Sequence, residues 1–167
     1  IRSPNQESGD IYLIYQFFIH ANRARFNEIS KCLRYNILNP AIHRIILLNE
    51  RIYTSAEMGI ADLPADRVAR VVQVNIGERL TFKRAFQHVT TANLCGYIAI
   101  INADIFFDHT LENLRYSDLH LQKKMLALLR YEYDGNDKRP PSKGSVIFGP
   151  RMDSQDTWIL HSNFVPK

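Results

Sequence analysis

Apolar residues along this chain come in short runs, separated by polar stretches with helical spacing. Residues 11–19 are apolar throughout except for Gln16 and predict a first, buried strand. Asn22 stands where a helix cap is expected. Phe26, Ile29, Leu33 and Ile37 then recur at helical spacing, with Arg23, Arg25, Lys31 and Arg34 filling the other face. Asn39-Pro40 ends that helix. Residues 42–48 predict a second strand and residues 68–74 a third. The stretch 51–67 contains Gly59 and Pro64, has no steady period, and reads as a loop with one short helical turn. Residues 80–92 predict a second long helix with Phe82, Ala85, Phe86 and Val89 inward. Residues 97–101 make a fourth strand, Leu111 and Leu114 mark a short helix, and residues 125–133 a fifth strand. Residues 134–144, with Pro140-Pro141, predict a mobile loop before a short sixth strand over 145–148. Residues 153–160 begin as a turn and end in an apolar step around Trp158.

Alternating strands and helices call for an α/β fold, a three-layer αβα sandwich with a mainly parallel central sheet and right-handed crossovers. No repeat or composition shift divides the chain, so residues 1–167 read as one domain with a polar leader over 1–10. The first residue is not Met and the last four are Phe-Val-Pro-Lys, from which we expect a segment of a longer protein.

The stretch 97–108 reads Tyr-Ile-Ala-Ile-Ile-Asn-Ala-Asp-Ile-Phe-Phe-Asp. Its β-branched start is the mark of a strand buried on both faces. Such a strand delivers Asn102, Ala103 and Asp104 to the carboxyl edge of a parallel sheet, where open α/β folds bind ligands. A carboxylate there is costly without a cation or a hydrogen-bond partner. On the residues alone two accounts stand: Asp104 holds a divalent cation that neutralises phosphate oxygens, or Asn102 and Asp104 bond local backbone groups in a strand-ending turn.

Composition narrows the partners. The formal charge is +4, with Lys and Arg spread rather than clustered, which suits an anionic small molecule better than nucleic acid. Cys32 and Cys95 stand far apart, outside any Cys/His cluster, and read as buried free thiols in a reducing, cytoplasmic setting. No apolar stretch is long enough to span a membrane. There is no GxGxxG, P-loop or GxSxG motif, which removes the commonest competing α/β enzyme classes.

The stretch 97–108, with the Leu-rich segment after it, resembles the DxD region of GT-A glycosyltransferases. The resemblance extends over most of the chain and implies a metal-dependent glycosyltransferase of hexosyltransferase type. Its donor would be a nucleotide-sugar, UDP-linked in the first instance, and its acceptor a glycan or glycoprotein. In that family the motif binds Mn²⁺ or Mg²⁺ and the donor diphosphate; here Asn102 replaces the first Asp, leaving Asp104 as the main metal ligand and Asn102 as a weaker one or a ribose or sugar contact. By the same resemblance residues 16–19, at the end of strand one, lie next to the base, with Gln16 and Phe17 as the binding candidates. Glu50 follows strand two near the base, with a solvated loop charge as the equal alternative. Arg79 and Lys83 are candidates for the diphosphate, Lys83 being better explained as an exposed helix charge. Asp156, in Ser-Gln-Asp-Thr-Trp, matches the catalytic base of inverting members, with Gln155 replacing an acidic neighbour; a cap on the following turn is the near-equal alternative, and the neighbouring Trp158 tilts the balance to the base. Inversion is favoured over retention. Trp158 offers a flat face to a sugar ring or is a core aromatic. His161 is a weak candidate for a further metal ligand. Arg130, Glu132 and Arg151 could line the pocket, though salt bridging among themselves is simpler. The short length is similar to glycosyltransferase domains of large algal viruses that glycosylate their own capsid proteins, which would put the protein in host cytoplasm. The competing classes are a nucleotidyltransferase, which would have a Gly- and basic-rich loop after strand one, and a non-catalytic carbohydrate- or protein-binding module that kept the fold.

Overall fold

A computed structural model describes residues 9–133, 135, 147, 149 and 155–166. In chain order the elements are β1 (Ile11–Tyr15), α1 (Arg23–Leu38), β2 (Arg44–Asn49), α2 (Ala65–Val68), β3 (Val71–Asn75), α3 (Phe82–Thr91) and β4 (Tyr97–Ile101), then a 3₁₀ helix (His109–Tyr116), α4 (Leu119–Gln122), β5 (Met125–Leu128) and β6 (Thr157–His161). The strands form one sheet in the order β3-β2-β1-β4-β6-β5. β3, β2, β1 and β4 run parallel, and β6 is antiparallel to both β4 and β5. This is the expected mixed α/β architecture, with a mainly parallel central sheet.

Alternation along the strands builds two cores. Ile11, Leu13 and Tyr15 of β1 and Tyr97, Ala99 and Ile101 of β4 face α1, where Ile29, Leu33 and Ile37 meet them. Tyr12 and Ile14, with Ile98 and Ile100, face the other way onto Ala85 and Val89 of α3. Both faces of these strands are therefore covered, which is why they read as unbroken apolar runs. Asn22 caps α1 as expected, its side chain accepting from the N–H groups of Ala24 and Arg25. Thr81 caps α3 through the Arg84 N–H.

Asn36 of α1 and Asn39, which caps the end of that helix, reach across to the segment that follows β4. Asn36, fully buried, donates from Nδ2 to the Ile105 carbonyl (3.0 Å) and accepts at Oδ1 from the Phe107 N–H (3.1 Å). Asn39 donates to the carbonyls of Phe107 and Asp108, both at 3.1 Å. These bonds replace a sheet ladder for an irregular backbone that would otherwise leave buried polar groups unpaired.

Several boundaries differ from the sequence reading. β1 stops at Tyr15, and beyond it Phe17 turns back into the core while Phe18 and Ile19 are exposed. β3 starts at Val71 because Val68 belongs to α2. β5 ends at Leu128 and all four of its residues are exposed at the sheet edge. The expected loop over 134–144 and strand over 145–148 fall outside the described residues, apart from Gly135 and from Ile147, which bridges Tyr131. The larger correction is β6. The stretch read as a turn with an apolar step is a strand inserted between β4 and β5, with Ile101 opposite Thr157 and Tyr97 opposite His161. Its Thr-Trp-Ile-Leu-His sequence is short and has polar ends, and its burial comes from two flanking strands that no local pattern displays. Among the described residues no helix is long and apolar enough to cross a membrane.

The two cysteines part company. Cys32 is buried in α1, as expected, and burial, with Asp104 and Glu28 nearby, pushes its thiol up to about 12. Cys95 is exposed, because it lies in the turn that leaves α3 through Asn93 at φ 49°. Thiol labelling at pH 8 should therefore modify Cys95 alone in the native protein and both cysteines in denaturant; fast native labelling of Cys32 would contradict this packing. Replacing Asn36 with Ala should lower unfolding stability by roughly 1–3 kcal/mol, since it strands a buried N–H and a carbonyl, and urea unfolding measures it.

Candidate functional site

Parallel strands present their carboxyl ends along one edge, and there the polar residues gather. β6 runs the other way, so its first residues, not its last, reach the same edge. This places Asp156 beside Asn102: the Asn102 N–H donates to the Asp156 carbonyl (3.2 Å), and the Asp156 N–H donates to the Leu128 carbonyl of β5 (3.1 Å). The Asp156 side chain, 7 % exposed, accepts at Oδ1 from Asn102 Nδ2 (3.1 Å) and is bracketed by Arg130 Nη1 at 3.2 and 3.1 Å from its two oxygens. Arg130 also pairs with Glu132 at 3.0 Å, as the sequence suggested. Asn102, Asp156 and Arg130 thus join the ends of β4, β6 and β5 in one charged network. An arginine against a buried carboxylate supplies its counter-charge and fixes its direction.

Next to this network lies a cleft of about 270 Å³. Its polar lining is Gln16, Arg79, Thr81 and Asn102, and its apolar walls include Phe18, Phe82, Ala103 and Trp158. Phe82 meets the Trp158 ring edge-on, with centroids 4.8 Å apart. Phe82 was expected to face inward from α3; instead it is 45 % exposed and belongs to the cleft. Thr81 was absent from the sequence reading, and Phe18 stood in it only as part of the strand-one end expected beside the base. A larger hollow, about 310 Å³, lies between β2 and α3, lined by Leu48, Ile76, Arg84, Gln87, His88 and Thr91, and holds none of the candidate residues.

Gln16 lines the cleft, and its amide is occupied in holding the walls. Its Nε2 donates to the carbonyls of Leu48 (3.2 Å) and Glu78 (2.9 Å), and its Oε1 accepts from the Leu80 N–H (3.3 Å). One side chain therefore ties the ends of β1 and β2 to the loop that carries Arg79. Asn49 does the same one step away: it accepts from the Phe17 N–H (2.9 Å) and donates to Gln73 (3.1 Å), which in turn bonds both backbone groups of Tyr53.

Other candidates fall elsewhere. Phe17 cannot meet a ligand: it is completely buried, with Phe26 and Tyr53 packed edge-on at 6.3 and 5.3 Å. Glu50 is exposed after β2 and does not line the cleft. Lys83 is an exposed charge on α3, and Arg151 lies outside the described residues. His161 ends β6 opposite Tyr97, five residues back from Asn102. At about 3.3 Å per residue that separation excludes it as a ligand beside Asp104.

Asp104 does not line the cleft, although Ala103 does. Its Oδ2 accepts from Arg25 Nη2 at 2.9 Å, and Arg25 Nη1 lies 2.5 Å from Glu28 on the next turn of α1. The divalent ion implied by the resemblance would rest on Asp104 and Asn102. The residues present do not fit it: Asn102 is a neutral ligand, Asp104 faces a guanidinium, and no group of three His, Cys, Asp or Glu side chains that could hold a metal occurs among the described residues.

No family model matches this chain, and neither does any curated protein. Among solved structures, a 4-diphosphocytidyl-2C-methyl-D-erythritol synthase aligns with 92 % of this chain and 75 % of its own, at 10 % sequence identity and a TM-score of 0.49. That likeness is one of overall fold and carries nothing about substrate or chemistry.

Proposed function

We propose that this chain is a transferase that takes a sugar from a nucleotide-sugar, UDP-linked in the first instance, and passes it to an acceptor hydroxyl. The observation that carries the reading is the cleft itself. Gln16, Arg79, Asn102, Ala103 and Trp158, scattered over more than 140 positions in sequence (158 − 16 = 142), line one hollow at the carboxyl edge of the sheet. A cation at one wall and aromatic faces at the other suit a ligand with an anionic middle and flat ends.

Within this reading Arg79 meets the diphosphate, and Trp158 with Phe82 offers apolar faces to the sugar or base. Asp156 is the base that accepts the proton of the attacking hydroxyl, so that the product has inverted anomeric configuration. Arg130 and Asn102 orient it. For Asp156 to take that proton, an acceptor hydroxyl must replace one of the contacts that now surround its carboxylate.

A second reading, a carbohydrate-binding module without turnover, draws support from one feature: both candidate carboxylates, Asp104 and Asp156, have arginine partners. A donor screen separates the two. The purified chain should hydrolyse at least one nucleotide-sugar slowly and bind the matching nucleoside diphosphate by calorimetry. Asp156→Asn should lower turnover by about 10²–10⁴-fold while nucleotide affinity stays near wild type. Binding with no turnover of any donor would favour the module, and retention of configuration, read by NMR, would remove Asp156 from the role of base. Trp158→Ala should raise the donor KM by about tenfold if the indole stacks on the donor.

A further inference from the structure

The arrangement around Asp104 has its own logic. Arg25 lies in the first turn of α1, where the helix dipole disfavours a positive charge, and that turn holds no acidic residue. Its guanidinium is held between two carboxylates, Glu28 on one side (2.5 Å) and Asp104 on the other (2.9 Å). These contacts account for the unfavourable position. A cation between two carboxylates at the end of β4 is also the setting of a divalent metal. Here the cation is covalently tethered. We propose that the Arg25 guanidinium takes the place of a divalent metal between Glu28 and Asp104, and that this chain binds its nucleotide donor without metal, with Arg79 meeting the diphosphate.

Three observations converge. Asn102 stands where the resemblance puts the first acidic ligand of the motif, and a neutral amide brings no negative charge to a metal. Arg25 is shared by Glu28 and Asp104 through separate nitrogens, so a metal drawn to that pair of carboxylates competes with a guanidinium already placed there. Arg79 lines the cleft and forms no ion pair among the described residues, which leaves its charge available to an anionic ligand. Magnitudes favour the tether. A side chain on a short linker acts at an effective concentration on the order of millimolar, so dissolved Mn²⁺ at micromolar levels would have to bind far more tightly to displace it. All three groups are partly exposed, Arg25 at 50 %, Glu28 at 48 % and Asp104 at 30 %, so exchange with solution ions is physically open and the competition can be measured.

The proposal rests on the transferase reading, and the test keeps the two apart. UDP, GDP, CDP and ADP would be titrated into the protein by calorimetry, once in EDTA and once in Mn²⁺. Separately, Mn²⁺ binding without nucleotide would be followed by the loss of its free-ion EPR signal, in the wild type and in Arg25→Ala. The expected result is nucleotide binding of equal affinity in EDTA and Mn²⁺. Wild type should leave the Mn²⁺ signal unchanged, and Arg25→Ala should take up Mn²⁺ at the vacated Glu28–Asp104 pair. Arg79→Gln should weaken nucleotide binding by about tenfold or more. Nucleotide binding that strengthens more than about tenfold on adding Mn²⁺ would overturn the tethered cation and leave the transferase standing. No more Mn²⁺ uptake by folded Arg25→Ala than by wild type would overturn it too. Failure of every nucleoside diphosphate to bind in either condition would overturn the transferase reading and this proposal with it.

Discussion

The site depends on one buried carboxylate. Asp156 lies where β4, β5 and β6 end or begin, and its backbone extends the sheet by one step on each side, accepting from Asn102 and donating to Leu128. Its side chain is then inside the protein and needs compensation. Arg130 from beyond β5 and Asn102 from beyond β4 supply it. Losing one partner of such a pair costs more than never having had it, because the remaining charge is left desolvated. The three residues therefore constrain one another, and they fix how the antiparallel β6 closes against the parallel part of the sheet.

Around this centre, side-chain amides do the work that a regular ladder does elsewhere. Gln16 spans the ends of β1 and β2 and the Glu78–Leu80 turn. Asn49 and Gln73 hold the chain after β1 and the backbone of Tyr53. Asn36 and Asn39 hold the segment after β4 against α1. An amide has two donors and an acceptor with two lone pairs, so it can replace missing partners on either side of a loop without adding a charge. Among the described residues that line the cleft, Arg79 is then the one that carries a charge.

Much of this was open to a reader of the sequence, and the reasons are specific. β4, which faces both cores, and α1, which packs on one of them, were legible because apolar spacing is set by burial and burial is strongest there. The Asn102–Asp104 turn stood out because polar residues ended an apolar run. Asp156 was found by resemblance of motif. Phe17 was misplaced because it follows a strand directly, and nothing local distinguishes a side chain that folds back into the core from Phe18, which turns to the cleft. β6 was missed because an antiparallel strand between two neighbours is buried by them, not by its own alternation.

The sequence by itself determined the class of fold, the two-sided burial of β1, β2 and β4, the caps of α1, and the stretch at which polar residues leave the sheet. These follow from local periodicity, which the chain carries in its covalent order. Only the tertiary structure decided which carboxylate meets which arginine. Arg25 and Asp104 are 79 residues apart and Arg130 and Asp156 are 26 apart, and no spacing rule links either pair. The apolar run at 97–101 and its Asn-Ala-Asp end promised a metal ligand. The fold gave Asp104 an arginine instead, because the first turn of α1 returns to the end of β4, where that carboxylate needs a counter-charge.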